Sequence, residues 1–140
     1  MIVKIRHGLY LGDADDASRK PNEIDYTITV AKNSPFIGAV WFSLEDDAVV
    51  KNEALFKAAI SSTISLIENG HSVLIHCVAG LSRSPAVCAG VLMGMDGLSL
   101  EEAINRIREL KPSIHIHPYF INRLREIEEE TVGIKNEFRG

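Results

Sequence analysis

The chain has no run of 18 or more apolar residues, no apolar signal core near its start, no low-complexity tract and no cluster of basic residues. The first absence excludes a spanning helix, which needs about 20 consecutive apolar residues. The second removes the mark of a secretory leader, so a cytoplasmic protein with no membrane partner is expected. The lack of basic clusters, together with a net charge of −4, argues against nucleic acid and anionic lipid as partners, because both are held mainly by Lys and Arg. Cysteine is scarce as well. Two in the whole chain, Cys77 and Cys88, make no disulfide framework and suit a reducing compartment.

What is present fits one globular domain. With 140 residues, 46% apolar and 24% charged, the chain is long enough to bury about two-thirds of its unfolded surface. Ile2 to Leu11 carries two short apolar runs broken by His7-Gly8 and reads as two strands or a hairpin. Asp13 to Lys20 is polar and predicts one helical turn with loop, Tyr26 to Val30 a strand, Asn33-Ser34-Pro35 a turn and Ala39 to Phe42 another strand. From Asn52 to Asn69 the apolar residues Leu55, Phe56, Ala59, Ile60, Thr63, Ile64 and Ile67 recur at spacings of three and four, the pattern of an amphipathic helix closed by Asn69-Gly70. Strand, helix, strand at these lengths implies a right-handed parallel crossover. The fold class is therefore α/β, a central mostly parallel sheet of four to five short strands flanked by helices.

The stretch Val73 to Pro85 stands out within that frame. Val73-Leu74-Ile75 reads as a strand buried on both faces, and Ser84 to Met95 is apolar on nearly every side, the mark of a central helix. Between them lie His76, Cys77, Val78, Ala79, Gly80, Leu81, Ser82 and Arg83. A loop entering a helix N-terminus offers unpaired N–H groups and about half a positive charge, so it suits an anion. The same field favours thiolate over thiol at Cys77. Arg83 brings a planar fork that can grip two phosphate oxygens, and Ser84 a hydroxyl able either to cap the helix or to hydrogen-bond the sulfur. Cys88, within the apolar run, reads as a small core residue, with a redox partner for Cys77 as the sharper alternative. In α/β folds ligands bind beyond the carboxyl ends of the strands, where this loop falls. The loop after the Ala39 to Phe42 strand, Ser43-Leu44-Glu45-Asp46-Asp47, opens on the same edge with three carboxylates, any of which could protonate a leaving group.

Downstream, Ser99-Leu100-Glu101-Glu102 is a capping box for a helix to about Leu110, and Ser113 to His117 is a loop. His115 and His117 have a chelate spacing, but without further ligands they read as exposed loop histidines. Tyr119 to Glu130 predicts a final helix whose Glu128-Glu129-Glu130 cluster is a solvated face, with fraying from about Thr131. The domain is placed at 1–132 and a frayed tail at 133–140.

His76-Cys77-Val78-Ala79-Gly80-Leu81-Ser82-Arg83-Ser84 resembles the signature loop of the cysteine-dependent protein phosphatases, and in particular of the small dual-specificity phosphatases. Leu9-Tyr10-Leu11-Gly12-Asp13-Ala14, Ala89 to Met93, Leu98 to Pro112 and Pro118 to Leu124 are similar to further segments of that family, so the likeness spans nearly the whole chain. It implies the single-domain phosphatase fold and a two-step hydrolysis of phosphate monoesters, with phosphorylated protein or peptide as partner. Cys77 would be the nucleophile, Arg83 and the backbone of Val78 to Arg83 would hold the phosphate oxygens, and Ser84 would stabilise the leaving sulfur. His76 would orient the loop and help keep Cys77 ionised. Leu44-Glu45-Asp46 is similar to the pattern holding the family's general acid, which favours Asp46 over Asp47, with Glu45 third. No metal or cofactor is needed, and a monomer is expected. Two departures stand out: Tyr119 follows Pro118 where the family usually has a loop-supporting Asn, and the loop lacks the lysines of the inositol-phosphate branch. The competing readings are a phosphatase of a non-protein phosphate, such as an RNA end or sugar phosphate, and a non-catalytic phosphate-recognition module.

Overall fold

The computed structural model describes residues 1–19, 21–32, 40–45 and 52–139. The turn Asn33-Ser34-Pro35 and both acid candidates Asp46 and Asp47 lie outside the described residues. The apolar runs become a five-stranded sheet of order β1-β2-β5-β3-β4. β1 (Val3–Arg6) and β2 (Leu9–Gly12) form the expected antiparallel hairpin, and β2 pairs in parallel with β5 (Val73–His76). On the other side of β5 lie β3 (Tyr26–Val30) and then β4 (Val40–Phe42), also parallel. Four parallel strands therefore end on one edge. In register, Gly12 and Thr29 flank His76 there.

Side-chain alternation splits β5 between two faces. Val73 and Ile75 enter the main core with Ile28, Phe56, Val87, Leu92, Phe120 and Leu124, whereas Leu74 joins a small second cluster with Ala17 and Ile24. The large face is covered by α2 (Asn52–Glu68), α3 (Arg83–Asp96), α4 (Leu100–Leu110) and α5 (Pro118–Arg139), and the small one by α1 (Ala14–Ser18). α2 buries Phe56, Ala59, Ile60, Thr63 and Ile67, the stripe its spacing predicts. α3 sits at the centre, buried without a break from Ser84 to Leu92. Its Gly90 is a packing requirement: a Cβ there would lie 2.3 Å from Ile60 Cδ1 of α2.

The capping box of α4 is present: Ser99 Oγ accepts the Glu102 N–H at 3.1 Å and Glu102 Oε1 accepts the Ser99 N–H at 3.0 Å. α5 departs from expectation in two ways. It runs through Arg139, beyond the Glu130 at which the pattern ends it. Glu128, expected to be a solvated surface residue, accepts the Leu100 N–H at 2.5 Å. The positive end of α4 explains why a carboxylate settles there.

Candidate active site

The site forms where β2, β4 and β5 deliver their loops to one edge of the sheet. β5 ends at His76, and residues 77–82 turn back into α3. Cys77 is 3% exposed at the base of that turn, and its Sγ lies 3.2 Å from Ser84 Oγ, with Ser84 fully buried. Of the two uses open to the Ser84 hydroxyl, the structure has the sulfur contact. The N-cap position belongs to Ser82, which makes no side-chain cap. Arg83 is half-buried and anchored, its Nη1 donating to the Leu44 carbonyl at 3.1 Å.

The loop's carbonyls are held from outside. The carbonyl of Cys77 lies 3.0 Å from His76 Nδ1, that of Val78 accepts the Ala14 N–H at 3.1 Å, and that of Leu81 accepts the His115 N–H at 2.7 Å. No peptide bond here is cis, and a trans peptide directs its N–H opposite to its C=O. The N–H groups of Val78, Ala79 and Ser82 therefore turn to the loop's interior. The first N–H groups of α3 are free of intrahelical partners as well, and Pro85 has none to satisfy. The result is a ring of donors around Cys77. Gly80, at φ 72°, allows the turn, since a Cβ there would come within 2.8 Å of both the Gly12 carbonyl oxygen and Lys111 Nζ.

Support for the loop does not depend on an Asn after Pro118. The segment before that proline does the holding: besides the His115 contact, the His117 N–H donates to Ser82 Oγ at 2.9 Å. Tyr119 instead packs edge-on against Phe120 and lies beneath the Arg123 guanidinium, 5.4 Å from its ring centroid. Val78 is 64% exposed, Ala79 is exposed and Leu81 half-buried. The two exposed loop side chains are accordingly apolar, and a nearby charge besides Arg83 is Lys111, whose Nζ stands against Gly80. Glu45, third among the acid candidates, stands 4.0 Å from Lys32 Nζ.

Burial holds the His76 ring below its usual pKa, against the opposing pull of its bond to Cys77 and of Asp13 and Asp16. A neutral ring orients the loop rather than adding a charge to it. Burial, and the nearby Cys77, push the Cys88 thiol well above the ordinary range. Cys88 is fully buried in the main core.

Sequence reasoning missed four contributors: the Leu44 carbonyl, the Ala14 amide, the paired amides of His115 and His117, and the hydroxyl of Thr29, 2.7 Å from His76 Nε2. The first three are backbone groups that any residue supplies. Thr29 alone left a signal, a polar residue in a buried strand.

Comparison with known proteins agrees with this geometry. The sequence model of the dual specificity phosphatase catalytic domain matches residues 9–130. The chain is 30% identical over 129 residues to 123R of Invertebrate iridescent virus 6, which carries a tyrosine-phosphatase name, covering 90% of this chain and 91% of that protein. It is 30% identical over 137 residues to human dual specificity protein phosphatase 5, covering 91% of this chain but 36% of that longer protein. Among solved structures, human DUSP28 superposes with a TM-score of 0.80 at 24% identity, covering 93% of this chain and 94% of that one.

Proposed function

The chain belongs to the dual specificity phosphatase family and is a cysteine-dependent phosphatase, and from that premise we propose that it hydrolyses phosphotyrosine and phosphoserine or phosphothreonine in proteins through a cysteinyl-phosphate intermediate. The observation that carries this reading is the pairing of Cys77 Sγ with Ser84 Oγ at 3.2 Å, inside a loop whose Cys77, Val78 and Leu81 carbonyls are held from outside.

In the first step Cys77 attacks phosphorus in line. The S–P bond forms as the P–O bond to the leaving group breaks, and Asp46 gives its proton to the departing oxygen. Arg83 and the inward N–H groups hold the three equatorial oxygens throughout. In the second step Asp46, now a carboxylate, takes a proton from water as that water attacks phosphorus. The S–P bond breaks, Ser84 hydrogen-bonds the departing sulfur, and phosphate leaves. The exposed apolar side chains of Val78 and Ala79 support a site that admits both long and short phosphorylated side chains. A reducing compartment such as the cytoplasm suits a free Cys77.

The test is hydrolysis of an aryl phosphate in excess chelator and reductant by the wild type and by Cys77→Ser, Asp46→Ala and Asp47→Ala. Activity that survives chelation, disappears with Cys77→Ser and falls far more for Asp46→Ala than for Asp47→Ala is the expected result. An equal effect of the two aspartates would remove Asp46 from its role. A wild type that binds phosphate without turnover would make the protein a recognition module.

A further inference from the structure

Thr29 is fully buried on β3, and so is His76 beside it on β5. The two are register partners, so their side chains stand on the same face of the sheet. Thr29 Oγ1 lies 2.7 Å from His76 Nε2, and across the ring Nδ1 lies 3.0 Å from the Cys77 carbonyl oxygen. A carbonyl can only accept, so Nδ1 carries the proton. Burial disfavours a second proton on the ring, although Asp13 at the N-cap of α1 and Asp16 within α1 pull the other way. Nε2 is then an acceptor, and the Thr29 hydroxyl donates to it.

We propose that Thr29 is a positioning residue for the reaction: its hydroxyl fixes His76 in the Nδ1–H tautomer that holds the Cys77 carbonyl outward, and so aims the Val78 N–H at the phosphoryl group. The link is mechanical. The Cys77–Val78 peptide is a rigid plane, so the ring that fixes its carbonyl also fixes its amide. The amide of Val78 follows the nucleophile directly. A merely structural hydroxyl is the competing account, and Thr27 supplies its internal control. Thr27 lies two residues earlier on the same face, 6% exposed, and its Oγ1 has no hydrogen-bond partner among the described residues. A buried hydroxyl on this strand is thus tolerated without serving the loop, whereas the one at Thr29 is aimed at it.

The experiment compares wild type, Thr29→Val, Thr29→Ser and Thr27→Val by kcat and KM on an aryl phosphate, by inhibition with vanadate, and by the ¹⁵N signals of the His76 ring. Thr29→Val is expected to lower kcat/KM and weaken vanadate inhibition by about tenfold or more, short of the ~100-fold or greater loss that follows removal of a preorganised donor. It should also move the His76 ring signals. Thr29→Ser should restore all three readouts, and Thr27→Val should leave them unchanged. A folded Thr29→Val with wild-type kinetics, vanadate inhibition and ring signals overturns the proposal. Should Thr29→Val not fold, the wild-type ring decides alone: a proton on Nε2 in place of Nδ1 overturns it too. The kinetic arm rests on the phosphatase reading. A wild type inactive on every phosphate monoester would sink that reading while leaving the ring signals and vanadate binding as the test of Thr29.

Discussion

Ser84 faces two claims on one hydroxyl, and the outcome has a kinetic consequence. At the start of a helix a serine ordinarily satisfies an unpaired backbone N–H. Here the hydroxyl contacts Cys77 Sγ at 3.2 Å instead, and the adjacent Ser82 spends its own oxygen on the His117 N–H. A hydrogen bond to a charged group contributes about 1.5–3 kcal/mol, which is about ten- to a hundred-fold in rate. Under the proposed mechanism sulfur becomes the leaving group only in the second step. Ser84→Ala should therefore slow hydrolysis of the intermediate more than its formation. Rapid-mixing assays on an aryl phosphate should show a burst of phenolate of one equivalent per enzyme followed by slow turnover. A uniform loss without a burst would place the role of Ser84 elsewhere.

At the scale of elements, the close contact of α2 with α3 sets the platform beneath the loop. A Cβ at Gly90 would lie 2.3 Å from Ile60 Cδ1 and 2.8 Å from Ile60 Cγ1. Overpacking of this kind costs about 1–3 kcal/mol, against about 1 kcal/mol gained from alanine's better helix propensity. Gly90→Ala should thus lower the melting temperature despite that gain. Adding Ile60→Val, which deletes the Cδ1 in the way, should recover part of the loss, and thermal melts of the two single variants and the double variant measure the coupling. Strictly additive effects would mean that the cost of the added methyl at Gly90 does not come from Ile60 Cδ1.

The same helices show what could be read in advance. The buried stripe of α2 and the capping box of α4 follow from side-chain type and spacing, and both are found as expected. The placement of the loop between strand and helix was legible because it is marked by side chains at fixed spacing, Cys77, Arg83 and Ser84. What holds the loop was not, because the Ala14 and His115 amides and the Leu44 carbonyl are backbone groups brought from distant segments by the topology. Glu128 was misread for a related reason. Its position in an acidic cluster gives no sign that the N-terminus of α4 lies opposite.

At the scale of the molecule, the loop is tied to three other segments of the chain. Ala14 follows β2, Leu44 follows β4, and His115 and His117 join α4 to α5. An anion held by the inward N–H groups and Arg83 would draw on these contacts: the Ala14 and His115 bonds to loop carbonyls fix the direction of inward donors, the Leu44 carbonyl holds the Arg83 guanidinium, and the His117 N–H holds Ser82 at the entry to α3. Binding to the folded state alone stabilises it by about 2.7 kcal/mol at a hundredfold excess over Kd. Inorganic phosphate, the product, should therefore raise the melting temperature. It should also slow hydrogen exchange at the Ala14, His115 and His117 amides together, although none of the three is expected to touch the ion. Arg83→Ala, which removes the cationic fork, should abolish most of both effects. If phosphate raises the melting temperature while exchange at those three amides is unchanged, the ties hold the loop without being tightened by its ligand, and the donors are already set in the empty state.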